Sequence, residues 1–138
     1  MTTSTLIDTN VLIDLLGDGP FFAASVDVAI DAFRTGGIVL SAVVWSELAF
    51  SKIPEPKLIE KLAWLRPKRE DLPFAAAYPA GAAHARYRDR GGRRERTLPD
   101  FLIGAHALVA GHRLLTRDAS RYRSYFPDLD ILSPEAHP

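Results

Sequence analysis

The stretch Thr5-Leu6-Ile7-Asp8-Thr9-Asn10 decides how the rest of the chain is interpreted. Its first three residues suit a short buried strand, and a helical pattern of apolar residues begins at Val11. Asp8 is therefore predicted where a strand ends and a helix starts, which in open parallel sheets is where ligands and catalytic groups collect. The alternative is that Asp8 only caps the helix, because a carboxylate accepts hydrogen bonds from the free N–H groups of a first turn.

Apolar runs and turn residues predict that strands and helices alternate along the chain. Four short strands are predicted, at residues 5–7, 38–40, 113–116 and 131–132. Helices are predicted at residues 11–16, 21–35, 42–50, 57–65, 75–90, 101–110 and 119–125. The helix at 42–50 has Ser41 as a candidate N-cap and is almost wholly apolar, so we expect it to be packed on more than one side. Residues 66–71 are polar and are assigned no strand.

Length and composition predict a single domain over residues 1–138, large enough to bury a real core. Because the chain has no cysteine, it forms no disulfide and no thiolate zinc site, and a cytoplasmic location fits this composition. The first residues lack the positive charge of a signal peptide, and Asp8 interrupts the apolar run after them, so no membrane segment is expected.

The formal net charge is zero, but the charges are unevenly distributed. Residues 1–50 hold six acids and one base, whereas the remainder holds sixteen bases and eleven acids. Six arginines fall within eleven residues, at Arg86, Arg88, Arg90, Arg93, Arg94 and Arg96. This run is either a solvated helix end or a contact for phosphate groups, which guanidinium groups bind well.

Three more acids occupy positions comparable to that of Asp8, and each also has a structural interpretation. Glu47 lies in the apolar helix after the second strand, where it is either functional or on the one polar stripe. Asp100 has capping-box spacing to Thr97 at the start of a helix. Asp118 follows the third strand and could cap the next helix.

Together the four acids suggest a metal site. In a parallel sheet with right-handed crossovers, strand ends and the helices entered from them share one edge, so the four carboxylates could converge. Two carboxylates about 4 Å apart repel by roughly 4 kcal/mol at an effective dielectric constant of 20, so such a cluster needs protons or cations. A set of oxygen ligands favours Mg²⁺ or Mn²⁺ over zinc.

The motifs around these acids resemble those of the PIN-domain nucleases, and most closely those of the VapC-type ribonuclease toxins of bacterial toxin–antitoxin pairs. The resemblance extends from about residue 5 to residue 132. It is carried by Leu-Ile-Asp8-Thr-Asn10-Val-Leu, Ser46-Glu47-Leu, Pro-Asp100-Phe-Leu-Ile-Gly-Ala-His-Ala and Leu-Leu-Thr116-Arg-Asp118. The ordered series of four acids is more specific than any one motif.

The resemblance implies a three-layer α/β/α domain with a central, mainly parallel sheet and an endoribonuclease site that uses Mg²⁺ or Mn²⁺. It makes Asp8, Glu47, Asp100 and Asp118 the catalytic and metal-binding quartet, supported by Asn10 and Thr116. It also implies an RNA substrate, a homodimer and a cognate antitoxin. Our candidates for contacts to substrate phosphates are Arg117, Arg86, Arg93 and Arg94, although Arg117 could instead pair with a neighbouring acid. Exposed apolar residues of the first half could form a groove for an antitoxin helix or belong to the core: Phe21, Phe22, Phe50, Ile53 and Leu58.

Two residues depart from the commonest pattern of this family: Gly104 and His106 stand where alanine and a small or hydroxyl residue are frequent. We expect these differences to affect helix packing and to leave the acids unchanged. Three other functions remain open: a housekeeping RNA-processing nuclease, a non-catalytic binding scaffold, and a phosphatase of the haloacid dehalogenase type. The phosphatase is disfavoured because position 10 is Asn where that class has a second acid.

Overall fold

The computed structural model describes residues 3–92 and 97–134. The strands are β1 (Thr5–Ile7), β2 (Ile38–Ser41), β3 (Lys68–Glu70), β4 (Arg113–Leu115) and β5 (Ile131–Leu132). The helices are α1 (Thr9–Leu16), α2 (Phe22–Gly36), α3 (Ala42–Glu47), α4 (Glu55–Leu62), α5 (Phe74–Asp89), α6 (Leu98–Ala110) and α7 (Ala119–Tyr125). Short 3₁₀ turns follow α3 and α4, at Leu48–Ser51 and Ala63–Leu65.

The five strands form one sheet in which every neighbouring pair is parallel, in the order β3-β2-β1-β4-β5. Helices flank this sheet, so the predicted three-layer α/β/α class is confirmed. Strand β1 is central and fully buried, which agrees with its apolar sequence. The chain moves outward from β1 to β2 and β3, and then returns to place β4 on the other side of β1. The strand order therefore reverses between β1 and β4, and the crevice at their carboxyl ends is where ligands bind in such sheets.

Strand β3 is absent from the sequence prediction, which left residues 66–71 without a strand. Lys68 and Arg69 are exposed and Glu70 is half-buried, so this segment lacks the alternating apolar pattern that identifies a strand. Its pairing with β2 at one edge of the sheet explains this composition, because charged residues on an edge strand discourage further pairing.

The expectation that the helix at 42–50 is packed on more than one side is wrong. Helix α3 ends at Glu47, and in the whole segment only Val44 and Leu48 are buried at their side chains. Phe50 is 87% exposed. The predicted cap is confirmed, since the Val43 N–H donates to Ser41 Oγ at 3.1 Å. Apolar composition alone could not distinguish a buried helix from one with an uncovered apolar face.

Helix α6 packs along α5, and Phe101 is its largest fully buried residue. Gly104 is buried in the same helix. A β-carbon at this position would lie 2.6 Å from Cε2 of Phe126 and 3.1 Å from Cδ1 of Tyr122. This close approach explains why position 104 requires glycine. The aromatic rings of α7 and the residue after it occupy the space.

Gly104→Ala is expected to destabilise the protein by about 1–2 kcal/mol. Overpacking a dense core costs typically 1–3 kcal/mol, and the better helix propensity of alanine offsets up to about 1 kcal/mol of this. Urea unfolding of both proteins measures the difference. Gly81→Ala is a matched control on α5, because a β-carbon at Gly81 meets nothing within 4 Å and alanine should stabilise that helix. Equal stabilisation by both substitutions would contradict the packing explanation.

Candidate active site

Asp8 lies directly after β1 and is only 5% exposed. Its Oδ1 accepts a hydrogen bond from the Thr9 N–H at 2.8 Å, and its Oδ2 accepts one from the Thr116 hydroxyl at 2.7 Å. Asp8 is the N-cap of α1, so the capping interpretation is correct for one of its two carboxylate oxygens. The second oxygen bonds a residue that is far away in sequence, which a helix cap does not require.

Thr116 and Asn10 connect Asp8 to Asp118 at the carboxyl ends of β1 and β4. The buried Thr116 Oγ1 accepts from the Asp118 N–H at 3.0 Å while its hydroxyl donates to Asp8. Asn10 Nδ2 lies 3.5 Å from Thr116 Oγ1 and 3.4 Å from Asp118 Oδ2, and Asn10 Oδ1 accepts from the Arg117 N–H at 3.3 Å. The structure thus places both predicted supporting residues between two of the predicted acids.

Glu47 and Asp100 approach the same place from α3 and α6. The Thr9 hydroxyl donates to Glu47 Oε1 at 2.7 Å, which fixes the half-buried Glu47 beside the start of α1. Asp100 lies in the first turn of α6. The structure therefore brings the four acids to one edge of the sheet, from four different elements.

The environment of Asp8 disfavours its charged form. Burial raises the pKa of Asp8, the hydrogen bonds from Thr116 and Thr9 lower it, and the negative charges of Asp100 and Glu47 raise it again, to about 6. Electrostatic coupling to Asp100 and Glu47 shows that these groups are close enough to repel Asp8. A bound cation would instead favour the charged form of Asp8 and lower its pKa.

The four carboxylates of the quartet do not form a tight cluster. Within the described parts of the chain, no three of its carboxylates bring oxygens within 4.8 Å of one another, whereas Glu70, His106 and His112 bring ligand atoms that close. The quartet nevertheless fits Mg²⁺ or Mn²⁺ by its chemistry, because it offers only oxygen donors and holds a buried carboxylate under repulsion.

The predicted helix caps at α6 and α7 can be compared with the hydrogen bonds at the start of each helix. The Thr97 side chain makes no cap hydrogen bond at α6, so this half of the capping box is absent. Asp118 is the N-cap residue of α7 by position, but its side chain makes no cap hydrogen bond there.

Sequence reasoning did not identify Tyr122 as part of this site. Tyr122 is 3% exposed on α7, and its hydroxyl interacts with the charge of Asp8. Burial raises the pKa of Tyr122 well above its ordinary value, and the charges of Asp8, Asp100 and Glu47 add to this, so it remains a neutral phenol. Its spacing of four residues from Asp118 places it one helical turn further along α7, a signal that could have suggested it.

The candidate substrate-binding arginines have different surroundings. Arg117 pairs with Asp14, with Nε 2.9 Å from Oδ2 and Nη2 3.3 Å from Oδ1, and its guanidinium lies over the Phe21 ring. This is the ion pair that the sequence left open as an alternative. Arg93 and Arg94 lie outside the described residues.

Arg86 is exposed near the end of α5 and lines a pocket of about 190 Å³ between α5 and α7. Arg90, Gly91, Gly92 and Tyr125 line the same pocket. Phe101, the residue next to Asp100, packs against Tyr87 and Tyr125 of its wall. The pocket therefore lies beside the element that carries Asp100.

Among solved structures, the fold is similar to VapBC2 from Rickettsia felis bound to a promoter DNA fragment, with a TM-score of 0.73, 19% identity and coverage of 94% of this chain and 97% of that chain. A toxin–antitoxin complex from Klebsiella pneumoniae gives a TM-score of 0.68 at 21% identity, covering 95% of this chain and 98% of that one. FitAcB from Neisseria gonorrhoeae gives 0.68 at 18% identity, with coverage of 96% and 99%.

The sequence matches none of the curated proteins with which it was compared. No described helix combines the length and apolar character that a membrane-spanning segment needs. The family model of the PIN domain matches residues 5–126, which is most of the chain. This chain therefore belongs to the PIN-domain family.

Proposed function

We propose that this protein is a metal-dependent endoribonuclease that hydrolyses RNA phosphodiester bonds at the quartet Asp8, Glu47, Asp100 and Asp118. The observation that carries the proposal is the placement of a buried, repelled carboxylate, Asp8, at the reversal point of the sheet, together with three further acids from separate elements. Membership of a family whose members are typically nucleases supports the same function.

The four carboxylates would hold Mg²⁺ or Mn²⁺. When bound, such an ion lowers the pKa of a coordinated water and neutralises charge that develops on the phosphate oxygens. Thr116 and the Thr9 N–H hold Asp8 by hydrogen bonds, while Asn10 and the Thr116 hydroxyl hold Asp118. These contacts fix the carboxylates before substrate binds, so little reorganisation accompanies the reaction.

We assign substrate phosphate contacts to Arg86 and Arg90, because two residues of their pocket wall, Tyr87 and Tyr125, pack against Phe101 of α6. Guanidinium groups bind phosphate oxygens through paired hydrogen bonds, and Gly91 and Gly92 let the backbone approach the substrate closely. Arg117 is omitted because its guanidinium is held by Asp14. Arg93 and Arg94 stay sequence-based candidates.

The reaction is tested with oligonucleotides of equal sequence in RNA and DNA form, incubated with the protein and Mn²⁺, followed by analysis of the product ends. Attack by water predicts RNA products with a 5′ phosphate and a 3′ hydroxyl. Products with a 2′,3′-cyclic phosphate would instead show attack by the 2′ hydroxyl and would overturn the hydrolytic mechanism. Preferential cleavage of DNA would overturn the assignment of RNA as substrate.

Thr116→Val is expected to slow RNA cleavage by about 10- to 100-fold, the range found when a group that supports a metal ligand is lost. The substitution keeps the side-chain shape but removes the hydroxyl between Asp8 and Asp118. Because Thr116 acts through the acids, the variant should also need more Mn²⁺ to reach half its maximal rate. Thr35→Val is the control, since its hydroxyl bonds the backbone of α2 and the Arg113 side chain. An unchanged rate and Mn²⁺ dependence in Thr116→Val would contradict the positioning role.

We further propose that the protein is the toxin of a toxin–antitoxin pair and that an antitoxin binds its apolar surface. A groove of about 420 Å³ is lined by Trp45, Ala49, Ile53 and Leu58, and the neighbouring Phe50 is 87% exposed. Such a groove suits the apolar face of a helix. Of the groove residues suggested by sequence, Leu58 is buried, whereas Phe21 and Phe22 are about 40% exposed.

A homodimer is part of the same proposal. Phe74 and Tyr78 are 94% and 86% exposed on one face of α5, and large exposed aromatic side chains are enriched in interfaces. The relatives with similar folds were crystallised as toxin–antitoxin complexes. Cytoplasmic action is compatible with the absence of cysteine. A housekeeping nuclease would share the site but would not be inhibited by a protein encoded beside it, which distinguishes the two.

A further inference from the structure

A second cluster of metal-binding side chain types lies outside the quartet. Glu70 ends β3, His106 is buried within α6, and His112 follows the end of α6 directly before β4. Glu70 Oε1 is 3.0 Å from His106 Nε2 and 2.8 Å from His112 Nε2. One ligand atom from each of the three residues lies within 4.8 Å of the other two.

We propose that Glu70, His106 and His112 bind a divalent transition-metal ion of the Zn²⁺ class. Two imidazole nitrogens and one carboxylate oxygen suit zinc and its neighbours, whereas Mg²⁺ takes oxygen ligands. The site is therefore chemically distinct from the quartet. It does not depend on the nuclease function proposed above.

The present geometry is close to what such an ion needs. With bonds of about 2.0–2.1 Å to nitrogen and oxygen, adjacent ligand atoms in a tetrahedral zinc site lie about 3.3 Å apart. The two Glu70–histidine distances would have to lengthen by only a few tenths of an ångström. His106 is fully buried, but the His112 and Glu70 side chains are 11% and 24% exposed. The exposed side provides an entry path for an ion.

The ionisation of Glu70 suits a cation. Burial raises the pKa of Glu70, but the hydrogen bonds and charges of His112 and His106 outweigh it and lower the pKa below its ordinary value. Glu70 is therefore ionised at neutral pH. His106 Nδ1 is buried without a hydrogen-bond partner in the described structure, so ligation through Nε2 leaves the proton on Nδ1 unpaired, and the metal–nitrogen bond must offset that cost. Metal binding would replace the two N–H···O bonds and requires both Nε2 atoms to be deprotonated.

An ion at this position would tie the edge of the sheet to α6. Strand β3 pairs with β2 only, and its exposed residues contribute little to the core. Glu70 is separated from His106 and His112 by 36 and 42 residues, so the ion would close long loops of the chain.

The test is Co²⁺ and Zn²⁺ binding to protein freed of metal by EDTA and dialysis, in excess Mg²⁺ to occupy the quartet. Co²⁺ bound by imidazole in a four- or five-coordinate site absorbs strongly in the visible range, and Zn²⁺ should displace it at one equivalent. Zn²⁺ at 100 times its Kd should raise the thermal midpoint by roughly 5–10 °C. A wild-type protein with no visible Co²⁺ band and no Zn²⁺-dependent shift would overturn the proposal.

Glu70→Gln and His112→Gln separate a metal site from a hydrogen-bonded trio. Glutamine at position 70 still accepts the two histidine N–H groups but ligates zinc poorly, so binding should weaken by about 100-fold or more. Glu60→Gln, at an exposed acid on α4, is the matched control and should bind as the wild type does. Asp100→Asn should also keep the Co²⁺ band, since it alters only the quartet. Binding that is unaffected by Glu70→Gln and His112→Gln, or abolished by Asp100→Asn, would contradict the assignment.

Discussion

Asp8→Asn is expected to raise the free energy of unfolding of the metal-free protein by about 1–3 kcal/mol at pH 8. Burial and the charges of Asp100 and Glu47 hold the pKa of Asp8 at about 6 in the folded state, against an ordinary value of 3.8. This difference makes the charged form cost about 3 kcal/mol of stability at high pH. Asparagine removes the charge, although it satisfies only part of the hydrogen bonding from Thr9 and Thr116.

The sign of the pH dependence follows from the raised pKa. Above pH 6 the folded wild type carries the unfavourable charge, whereas below about pH 4 Asp8 is protonated in both states and the penalty is gone. The advantage of Asp8→Asn should therefore shrink as the pH falls from 6 to 4. Urea unfolding at pH 8 and pH 4.5 in EDTA measures it, with Asp27→Asn on the exposed surface of α2 as the control. A variant that is less stable than the wild type at pH 8 would show that Asp8 is held mainly as a structural cap.

Asp8→Asn and Asp100→Asn are each expected to lower RNA cleavage by at least about 100-fold while the fold is retained. A bound ion supplies several kcal/mol of transition-state stabilisation, and each 1.36 kcal/mol corresponds to a factor of about 10 in rate. Asp27→Asn removes the same charge from an exposed position and should cut at the wild-type rate. Initial rates on a single RNA, with circular dichroism to check folding, give the comparison. Retention of more than about a tenth of the activity in either quartet variant would exclude that acid from catalysis.

Asp8 should therefore destabilise the folded, metal-free protein and also contribute to catalysis. Functional groups held in an unfavourable environment are a common cause of the trade-off between stability and activity. With Mn²⁺ present, the stability difference between Asp8→Asn and the wild type should become smaller, because the ion compensates the buried charge of the wild type.

The central part of the fold could be predicted because short apolar runs there end in polar residues. The pattern around Asp8 and Asp118 locates the ends of β1 and β4, and the separations between motifs are long enough for crossover helices. The edge strand β3 could not be predicted, because exposed Lys68 and Arg69 leave no apolar period. The exposure of Phe50 could not be predicted either, since composition does not reveal which apolar faces remain uncovered.

For the candidate site, the sequence predicted the four acids and the supporting residues Asn10 and Thr116, but not the roles of Thr9 and Tyr122. Thr9 donates to Glu47, and Tyr122 is buried near the charges of the quartet; both placements depend on the tertiary arrangement of separate helices. Arg117 illustrates the same limit, because its choice between substrate and Asp14 depends on where α1 lies relative to β4. The meeting of Glu70 with His106 and His112 depends on the unpredicted strand β3.

The most direct test of the nuclease site is cleavage of a mixed RNA pool by protein free of any bound inhibitor, in Mn²⁺, in EDTA, and in EDTA followed by excess Mn²⁺. The quartet predicts cleavage with the ion, none in EDTA, and recovery when Mn²⁺ is added back. Cleavage that continues in EDTA, or a well-folded protein that cuts no RNA with Mn²⁺ present, would contradict the assignment of Asp8, Glu47, Asp100 and Asp118 as a metal-dependent catalytic site.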